Sequence, residues 1–348
     1  MDLSCVVHVH SRYSDGTGTV PQIAKAARQT GADAVLLTDH NTLAARRNGE
    51  ERWHGPVLVC VGNEVSPHQR DHLLAFGVDT VTPHENVSTT EMIDAVVDAG
   101  GFGIAAHPFH DARNPVGRRI RMPYGALDSP ALTGIEVWSW FGDTLRTSRL
   151  RELPRFIARP GQVVVAPPPL NLAAWDELSA RRPLVAIGGL DAHQVGIRIG
   201  GRVPVRKMAY RRSFAHLRTH ALVDAQVNGD PGHDRDLIYA ALRAGRCYLA
   251  IDAIASARGT RFTARDARGA VTARMGEEVS HDDARTLRLE LPRPAAITLI
   301  GNGTPIARRA GAELEHRVEA PGVYRAEATL QVHGRERAWV LTNPIYVR

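Results

Sequence analysis

Two histidines stand one residue apart near the start of the chain, and imidazoles in such a pair are common metal ligands. His8 and His10 bracket Val9 in an apolar run that is typical of a strand. Because alternate residues of a strand face the same side, both imidazoles can reach one ion. The pair taken alone is also compatible with two ordinary hydrogen-bonded histidines.

Further histidines and carboxylates follow the ends of later predicted strands. They are Asp15, His40, Glu64, His72, His107, Asp191 and His193. In a parallel barrel the carboxyl ends of all strands lie on one face, so groups that are distant in the sequence converge there. Burying so many imidazoles and carboxylates together without an ion would leave costly unpaired groups. The set therefore favours a metal cluster, although Asp15 before Gly16 could by itself simply form a turn.

The elements that must position these groups alternate between apolar runs and amphipathic segments. A predicted strand at 4–9 precedes a helical pattern at 20–30, and the alternation continues to a helical segment at 235–244. It includes a helix near 148–156 and a strand at 163–166. This pattern indicates an α/β fold on a largely parallel sheet, with enough strands for a barrel.

The pattern changes beyond residue 250, where helical periodicity disappears. Strands are predicted at 248–253, 260–264, 286–291, 296–300, 322–330 and 338–347. Short strands separated by turn residues such as Gly301-Asn302-Gly303 predict a small antiparallel β-sandwich. We therefore expect two domains, a barrel over residues 1–250 and a sandwich over 251–348.

Composition narrows the class of protein. The start of the chain has no signal-peptide pattern and no apolar stretch is long enough for a membrane span, which predicts a cytoplasmic protein without a membrane partner. Cys5, Cys60 and Cys247 are widely spaced and are expected to be buried free thiols. The net charge of +6 comes from scattered arginines without a recognition motif, so no nucleic-acid partner is expected.

The metal-competent residues occur in motifs that resemble those of the polymerase and histidinol phosphatase (PHP) family. The resemblance covers residues 4 to about 250. The motifs are His8-Val9-His10 with Ser14-Asp15-Gly16, Thr38-Asp39-His40, Glu64, His72-Leu73-Leu74, His107-Pro108 and Asp191-Ala192-His193. The resemblance implies a distorted seven-stranded (β/α)7 barrel and a cluster of two or three divalent ions.

The same resemblance implies a division of the ligands among the ions. His8, His10, Glu64 and Asp191 would hold the first ion; Glu64 would bridge to a second held by His72 and His107; Asp15, His40 and His193 would hold the third. Nitrogen and oxygen ligands without thiolate suit Zn, Mn or Fe. Asp39, beside His40, is expected either to support the ligands or to cap the following segment.

Paired divalent ions activate water and stabilise both oxygens of a displacement at phosphorus, which predicts phosphoester hydrolysis by a metal-activated hydroxide. Glu64, Asp191 and His193 are the expected catalytic residues, the last two as candidates for moving the proton to the leaving group. The expected partner is an anionic small molecule, and Arg12 and Arg198 are the candidates to bind it.

A second hydrolytic reaction is also compatible with the ligands. The length between Glu136 and Asp191 and the C-terminal region resemble the branch of the family related to carbaryl hydrolase, which implies cleavage of a carbamate, amide or carboxylic ester. A neutral substrate of that kind would need apolar walls, for which Trp138, Trp140 and Phe141 are candidates. A non-catalytic metal-binding assembly module is the third hypothesis, and the complete ligand set argues against it. The oligomeric state stays open.

Overall fold

The computed structural model describes residues 1–67, 71–109, 111–113, 119–121, 124–140, 142–143, 166–194, 196–199, 202–206 and 209–348. The helix predicted at 148–156 and most of the strand predicted at 163–166 lie outside these residues. The helices are α1 (Val20–Gln29), α2 (Ala44–Arg47), α3 (Thr89–Asp98), α4 (Pro169–Arg181), α5 (Tyr210–Phe214) and α6 (Pro231–Arg243).

The strands up to residue 206 are β1 (Asp2–Val9), β2 (Ala34–Leu37), β3 (Trp53–His54), β4 (Val57–Val61), β5 (Asn63–Val65), β6 (Leu73–Phe76), β7 (Phe102–Ala105), β8 (Asp111–Arg113), β9 (Arg119–Arg121), β10 (Gly134–Ser139), β11 (Val185–Gly189), β12 (Gly196–Ile199) and β13 (Arg202–Arg206). The later strands are β14 (Leu217–Leu222), β15 (Cys247–Ile251), β16 (Arg261–Arg265), β17 (Val271–Arg274), β18 (Glu278–Val279), β19 (Thr286–Gly301), β20 (Thr304–Arg317), β21 (Gly322–Val332), β22 (Arg335–Thr342) and β23 (Ile345–Val347). The mixture of strands and packed helices confirms the predicted α/β class.

Helix α1 illustrates how local sequence determines these elements. Thr19 caps its first turn by accepting a hydrogen bond from the Gln22 backbone N–H, and the Gln22 side-chain oxygen accepts one from the Thr19 backbone N–H. Its buried residues include Val20, Ile23, Ala24 and Ala27, the spacing of one helical face. The helix therefore covers one side of the sheet that carries β1.

The N-terminal half of the chain contains two sheets. In the first, β14, β1, β2, β4 and β3 are neighbours in that order, and β1, β2 and β4 run parallel. In the second, the order is β11, β10, β7, β6 and β5; β7, β10 and β11 are parallel, while β6 is antiparallel to both of its neighbours.

The predicted closed barrel is not formed by the described strands. The sheets meet at one edge through single hydrogen bonds, such as Leu190 N to Val7 O at 3.0 Å, and at the other through the break at Gly62 between β4 and β5. Alternation along the sequence predicts that strands form, but it does not reveal that β6 reverses direction or that ladders stop at these edges. The distorted (β/α)7 barrel that the resemblance implies is thus not confirmed, and the described strands form two sheets that meet at bridges.

Strands of the N-terminal half are buried on both faces. One core cluster joins residues of α1 and α3 to positions such as Val35 and Val59, and another contains the alternate positions Leu36 and Cys60. This double burial is why the strands appear as continuous apolar runs in the sequence. All three cysteines are buried and free, as predicted.

The C-terminal strands belong to the same hydrogen-bonded sheet as β1. Strand β15 pairs with β14 on one side and β22 on the other, and β22 continues through β21 to β19. The segments predicted at 286–291 and 296–300 form the single strand β19, which pairs with β16 through its first half and β21 through its second. The predicted sandwich of two separate sheets is therefore not confirmed.

The domain boundary predicted near residue 250 falls within β15, and the division at 250 stays a prediction. A separate core cluster containing Phe262, Met275 and Trp339 is buried among the C-terminal strands. No helix in the described part of the chain has both the length and the apolar composition that a membrane span requires.

Candidate metal centre

The nine predicted ligands lie at one edge of the two sheets. His8 is the last residue but one of β1, His10 and His40 follow β1 and β2, Glu64 lies on β5 and His107 follows β7. Asp191 and His193 follow β11, and Asp15 lies in the loop after β1. His72 precedes β6 rather than following it; because β6 runs antiparallel to its neighbours, its start lies at the edge where the parallel strands end.

Glu64 stands at the centre of this cluster. Its Oε2 lies 3.2 Å from His8 Nε2, 3.2 Å from His10 Nε2 and 3.1 Å from His40 Nδ1. Its Oε1 lies 2.8 Å from His72 Nδ1 and 3.2 Å from His107 Nε2. Burial would raise the pKa of Glu64, but the imidazoles, above all that of His8, lower it well below its usual range.

The side chains form four overlapping groups, each with ligand atoms within 4.8 Å of one another. Three inner groups are His8, His10 and Asp191; His8, Glu64 and His107; and His40, Glu64 and His72. The fourth, called the outer group below, consists of His10, Asp15, His40 and His193. All nine predicted residues are thus brought together, and their role as ligands stays a prediction.

Several buried atoms in the cluster lack hydrogen-bond partners among the described residues. They are both ring nitrogens of His10, Nε2 of His8 and Oε2 of Glu64. A buried polar atom without a partner costs free energy, and a buried carboxylate costs more. A divalent cation between these nitrogens and oxygens would satisfy them, so the residues present fit a metal cluster.

The carboxylates of the cluster control the protonation of its imidazoles. Burial lowers the pKa of His10, but the nearby carboxylates of Asp191 and Glu64 together outweigh it and raise the pKa to about 9. Burial raises the pKa of Asp15, but His193 together with His10 and His40 outweighs it and lowers the pKa to about 2. Protons and metal ions would therefore compete for the same ring nitrogens.

Glu136, which carries no role predicted from the sequence, supports two of the predicted ligands. Its fully buried carboxylate lies 2.7 Å from His8 Nδ1 and accepts a hydrogen bond of 2.8 Å from the backbone N–H of His107. Because a carboxylate accepts hydrogen bonds, a neutral His8 ring would carry its proton on Nδ1 and present an unprotonated Nε2 to Glu64. The signal in the sequence is a lone acidic residue within the apolar strand β10.

Asp39 holds the loop that follows β1. Its Oδ1 accepts hydrogen bonds of 2.7 Å from the Ser11 N–H and from the Ser14 hydroxyl, and its Oδ2 accepts one from the Ser11 hydroxyl. These bonds fix the chain between the predicted ligands His10 and Asp15. The described hydrogen bonds of Asp39 go to this loop, and its role toward the ligands stays a prediction.

Three of the predicted ligands have a left-handed backbone. The φ angles are 64° for His8, 31° for His107 and 50° for Asp191. Such angles are uncommon for residues with a Cβ atom and cluster at functional sites, where the surrounding structure holds the strained backbone in place. At His8 the pairing register between β1 and β2 shifts, which turns the side chain toward the cluster.

The predicted substrate-binding residues are not brought into the cluster by any described contact. Arg12 is exposed and its guanidinium lies over the ring of Tyr13, 5.8 Å from the ring centre. Arg198 lies on β12, and its side chain is outside the described part of the structure, as is Phe141. Trp138 and Trp140 are buried in the core and do not form an apolar wall for a substrate.

Residues 7–105 match the PHP domain family. This PHP match contains six of the nine predicted ligands, from His8 to His72, and ends just before His107. The resemblance noted from the motifs is therefore supported over about the first third of the chain, whereas the branch related to carbaryl hydrolase is not confirmed.

Two relatives cover parts of the chain. An uncharacterised protein of Methanocaldococcus jannaschii is 27% identical over 127 residues, which are 33% of this chain and 72% of that protein. A phosphoribosyl 1,2-cyclic phosphate 1,2-diphosphodiesterase of Eggerthella lenta is 31% identical over 114 residues, which are 27% of this chain and 42% of that protein. The second match thus spans less than half of the diphosphodiesterase.

The similarity to one solved structure extends over nearly the whole chain. It is a two-domain protein of Bacteroides vulgatus described as containing a predicted PHP-like metal-dependent phosphoesterase, with a TM-score of 0.47 and 16% identity. The similarity covers 99% of this chain and 95% of that one.

Proposed function

We propose that the chain is a metal-dependent hydrolase that cleaves phosphoesters. The observation that carries the proposal is the set of imidazoles and carboxylates around buried Glu64, in which Glu64 Oε2, His8 Nε2 and both His10 ring nitrogens lack hydrogen-bond partners among the described residues. The PHP match and the partial similarity to a diphosphodiesterase support it. Nitrogen and oxygen donors of this kind suit Zn, Mn or Fe, in two or three sites.

The inner groups would hold two ions, with Glu64 between them. One would lie among His8, His10 and Asp191, facing Oε2 of Glu64; the other would lie with His72 and His107, facing Oε1. The outer group would hold a third. When bound, such ions polarise a phosphoryl oxygen and lower the pKa of water, so that a nucleophile is available near neutral pH.

Residues of the chain supply positioning and proton transfer. Glu64 contacts both inner sets of imidazoles through separate oxygens, so its carboxylate keeps them at a constant separation. His193 lies at the partly exposed side of the cluster, with Nε2 3.1 Å from Asp15 Oδ2 and Nδ1 3.5 Å from Asp191 Oδ1. We assign His193 and Asp191 to holding the proton that the leaving oxygen requires.

The location of the tryptophans favours a phosphoester over a carbamate as the substrate. A neutral aryl carbamate would need apolar side chains facing the cluster, and Trp138 and Trp140 are buried in the core instead. A phosphoester is recognised by charge, and the ions of the cluster would supply that charge themselves. The phosphoester is therefore the favoured substrate class.

The test is a parallel assay of the Mn-, Zn- and Fe-loaded protein. The substrates are 4-nitrophenyl phosphate, bis(4-nitrophenyl) phosphate and a 4-nitrophenyl carbamate, each with a chelator-stripped control. We expect metal-dependent release of nitrophenol from a phosphate. Release from the carbamate alone would replace the phosphoesterase proposal with the carbamate reaction, and silence on all substrates by a protein that binds metal would favour a binding module.

Glu64→Ala provides the sharpest variant. Without the central carboxylate the two sets of imidazoles lose their shared ligand, so turnover should fall by about 100-fold or more while the fold is kept. Glu313→Ala is the control, since Glu313 is an exposed residue of β20. Turnover and metal content at the wild-type level in Glu64→Ala would contradict the central role of Glu64.

A further inference from the structure

A buried tyrosine outside the PHP match links the backbones of two predicted ligands. Tyr210 begins α5 and is 2% exposed. Its hydroxyl lies 2.7 Å from the carbonyl oxygen of His10 and 3.1 Å from that of His193, and it accepts a hydrogen bond of 3.2 Å from the N–H of Gly18. One hydroxyl thus joins the end of β1, the turn after β11 and the loop that carries Asp15.

We propose that Tyr210 is a positioning residue for the outer group, so that binding of an ion there depends on its hydroxyl. The inference rests on the proposed metal-dependent function and adds a residue that sets which part of the cluster is filled. Three members of the outer group lie in segments that the tyrosine contacts: His10, Asp15 and His193.

The loop between His10 and Gly18 is packed directly against this tyrosine. A Cβ atom at Gly18 would overlap the Tyr210 ring, and one at Gly16 would overlap the His10 carbonyl. The loop ends are tied together by a hydrogen bond of 2.9 Å from the Arg12 N–H to the Gly18 carbonyl. The ring and hydroxyl of Tyr210 therefore position the loop that carries Asp15 together with the hydrogen bonds that Asp39 accepts from Ser11 and Ser14.

The turn after β11 is fastened to the same loop. The Thr17 N–H donates to the His193 carbonyl at 3.1 Å, and the Gln194 side-chain amide donates to the Thr17 hydroxyl at 3.2 Å. Loss of the tyrosine hydroxyl would leave these bonds but remove the donor that the His10 and His193 carbonyls share.

The outer and inner groups differ in how they are supported. The Asp15 side chain is 56% exposed and lies in a loop, whereas the Glu64 side chain is 1% exposed and lies on β5. The inner groups are also held by Glu136 through His8 and His107. A perturbation at Tyr210 should therefore weaken the outer group most, because the inner group that shares His10 is still held by the contacts of that imidazole with Glu64 and Asp191.

The experiment is a titration of the metal-free protein with Mn²⁺, followed by equilibrium dialysis and elemental analysis. The variant is Tyr210→Phe, which keeps the ring and removes the hydroxyl. Tyr346→Phe is the matched control, because Tyr346 is also 2% exposed and its hydroxyl accepts a backbone hydrogen bond of 2.9 Å, from Leu184, away from the cluster. Gly18→Ala is a second variant, in which the added methyl group displaces the ring.

We expect Tyr210→Phe and Gly18→Ala to weaken one Mn²⁺ equivalent by roughly 10- to 100-fold and to leave the tighter equivalents within about twofold, with Tyr346→Phe like the wild type. Equal affinities in the wild type and Tyr210→Phe would overturn the inference, as would uniform weakening of all equivalents, which indicates a general structural role. A wild-type protein that binds no Mn²⁺, Zn²⁺ or Fe²⁺ would instead refute the proposed function on which the inference rests.

Discussion

Replacing Glu136 by glutamine tests whether a residue that makes no predicted metal contact controls the affinity of the cluster. The two carboxylate oxygens of Glu136 serve His8 Nδ1 at 2.7 Å and the His107 N–H at 2.8 Å. A glutamine side chain has only one acceptor oxygen and a donating amide in place of the second. Because the backbone N–H of His107 is a permanent donor, the oxygen would turn toward it and the amide toward His8.

The consequence falls on the atom of His8 that faces the cluster. With an amide donor at Nδ1, the neutral ring must carry its proton on Nε2, which lies 3.2 Å from Glu64 Oε2 and 3.5 Å from Asp191 Oδ1. An ion can bind Nε2 only after the ring moves its proton to Nδ1, where the buried N–H would face the N–H of the glutamine amide. This contact between two donors costs about 1–3 kcal/mol. We therefore expect metal affinity to fall roughly 10- to 100-fold, equivalent to about 1.4–2.7 kcal/mol.

The assay is competition for Zn²⁺ between the protein and a chromophoric chelator, with far-UV circular dichroism to verify the fold. Glu51→Gln is the matched control: the Glu51 side chain is only 10% exposed and accepts a 2.7 Å hydrogen bond from the Val61 N–H, but it lies outside the ligand groups. Its affinity should stay within about twofold of the wild type. A folded Glu136→Gln protein with wild-type affinity would refute the reasoning.

Two further predictions concern the support of the cluster and the buried charges beside β1. Gly189→Ala should reproduce the loss of Zn²⁺ affinity of Glu136→Gln in the same chelator competition, because the added Cβ would overlap the Glu136 carboxylate, and unchanged affinity would count against that contact. Burial lowers the pKa of His220, but its hydrogen bonds to Asp2 and Asp252 outweigh burial and raise that pKa. Burial raises the pKa values of Asp2 and Asp252, but their contacts, chiefly with His220, outweigh burial and lower both values. The charged His220, Asp2 and Asp252 therefore stabilise the folded state fully between pH 3.8 and pH 6.5, the ordinary pKa values of aspartate and histidine. This stabilisation is lost as the pH falls through the folded-state pKa values of the aspartates or rises through that of His220. In urea unfolding of the metal-free proteins, His220→Gln should therefore be most destabilised relative to the wild type near pH 5, and a pH-independent difference would contradict this.

The chemical types of the cluster residues could be predicted because they follow strands that are recognisable on their own. Apolar runs such as residues 57–61 are buried on both faces, and the polar residue that ends such a run must lie at a sheet edge. His40, Glu64 and His107 follow this rule, so their convergence required only parallel neighbours. The structure adds the distances between these side chains, which are short enough for the residues to share an ion.

Other parts of the site depended on strand direction and pairing, which the sequence pattern does not contain. His72 reaches the cluster because β6 is antiparallel to β5 and β7, and a residue before a strand would otherwise lie at the opposite edge. The absence of continuous ladders between the two sheets likewise depends on local pairing at Gly62 and Leu190. Periodicity identifies a strand but not its partner.

The sequence by itself determined the α/β class, the capped helices, the buried thiols and the residue types around Glu64, because each depends on local pattern and burial. Only the tertiary structure decided that Glu136 orients His8, that Tyr210 joins the backbones of His10 and His193, and that the tryptophans of β10 and its end pack in the core. The contacts of Glu136 with His8 and of Tyr210 with His10 join residues more than a hundred positions apart, and the location of the tryptophans is a choice between two faces of a strand. Such contacts arise from how the sheets pack, and no single stretch of sequence specifies them.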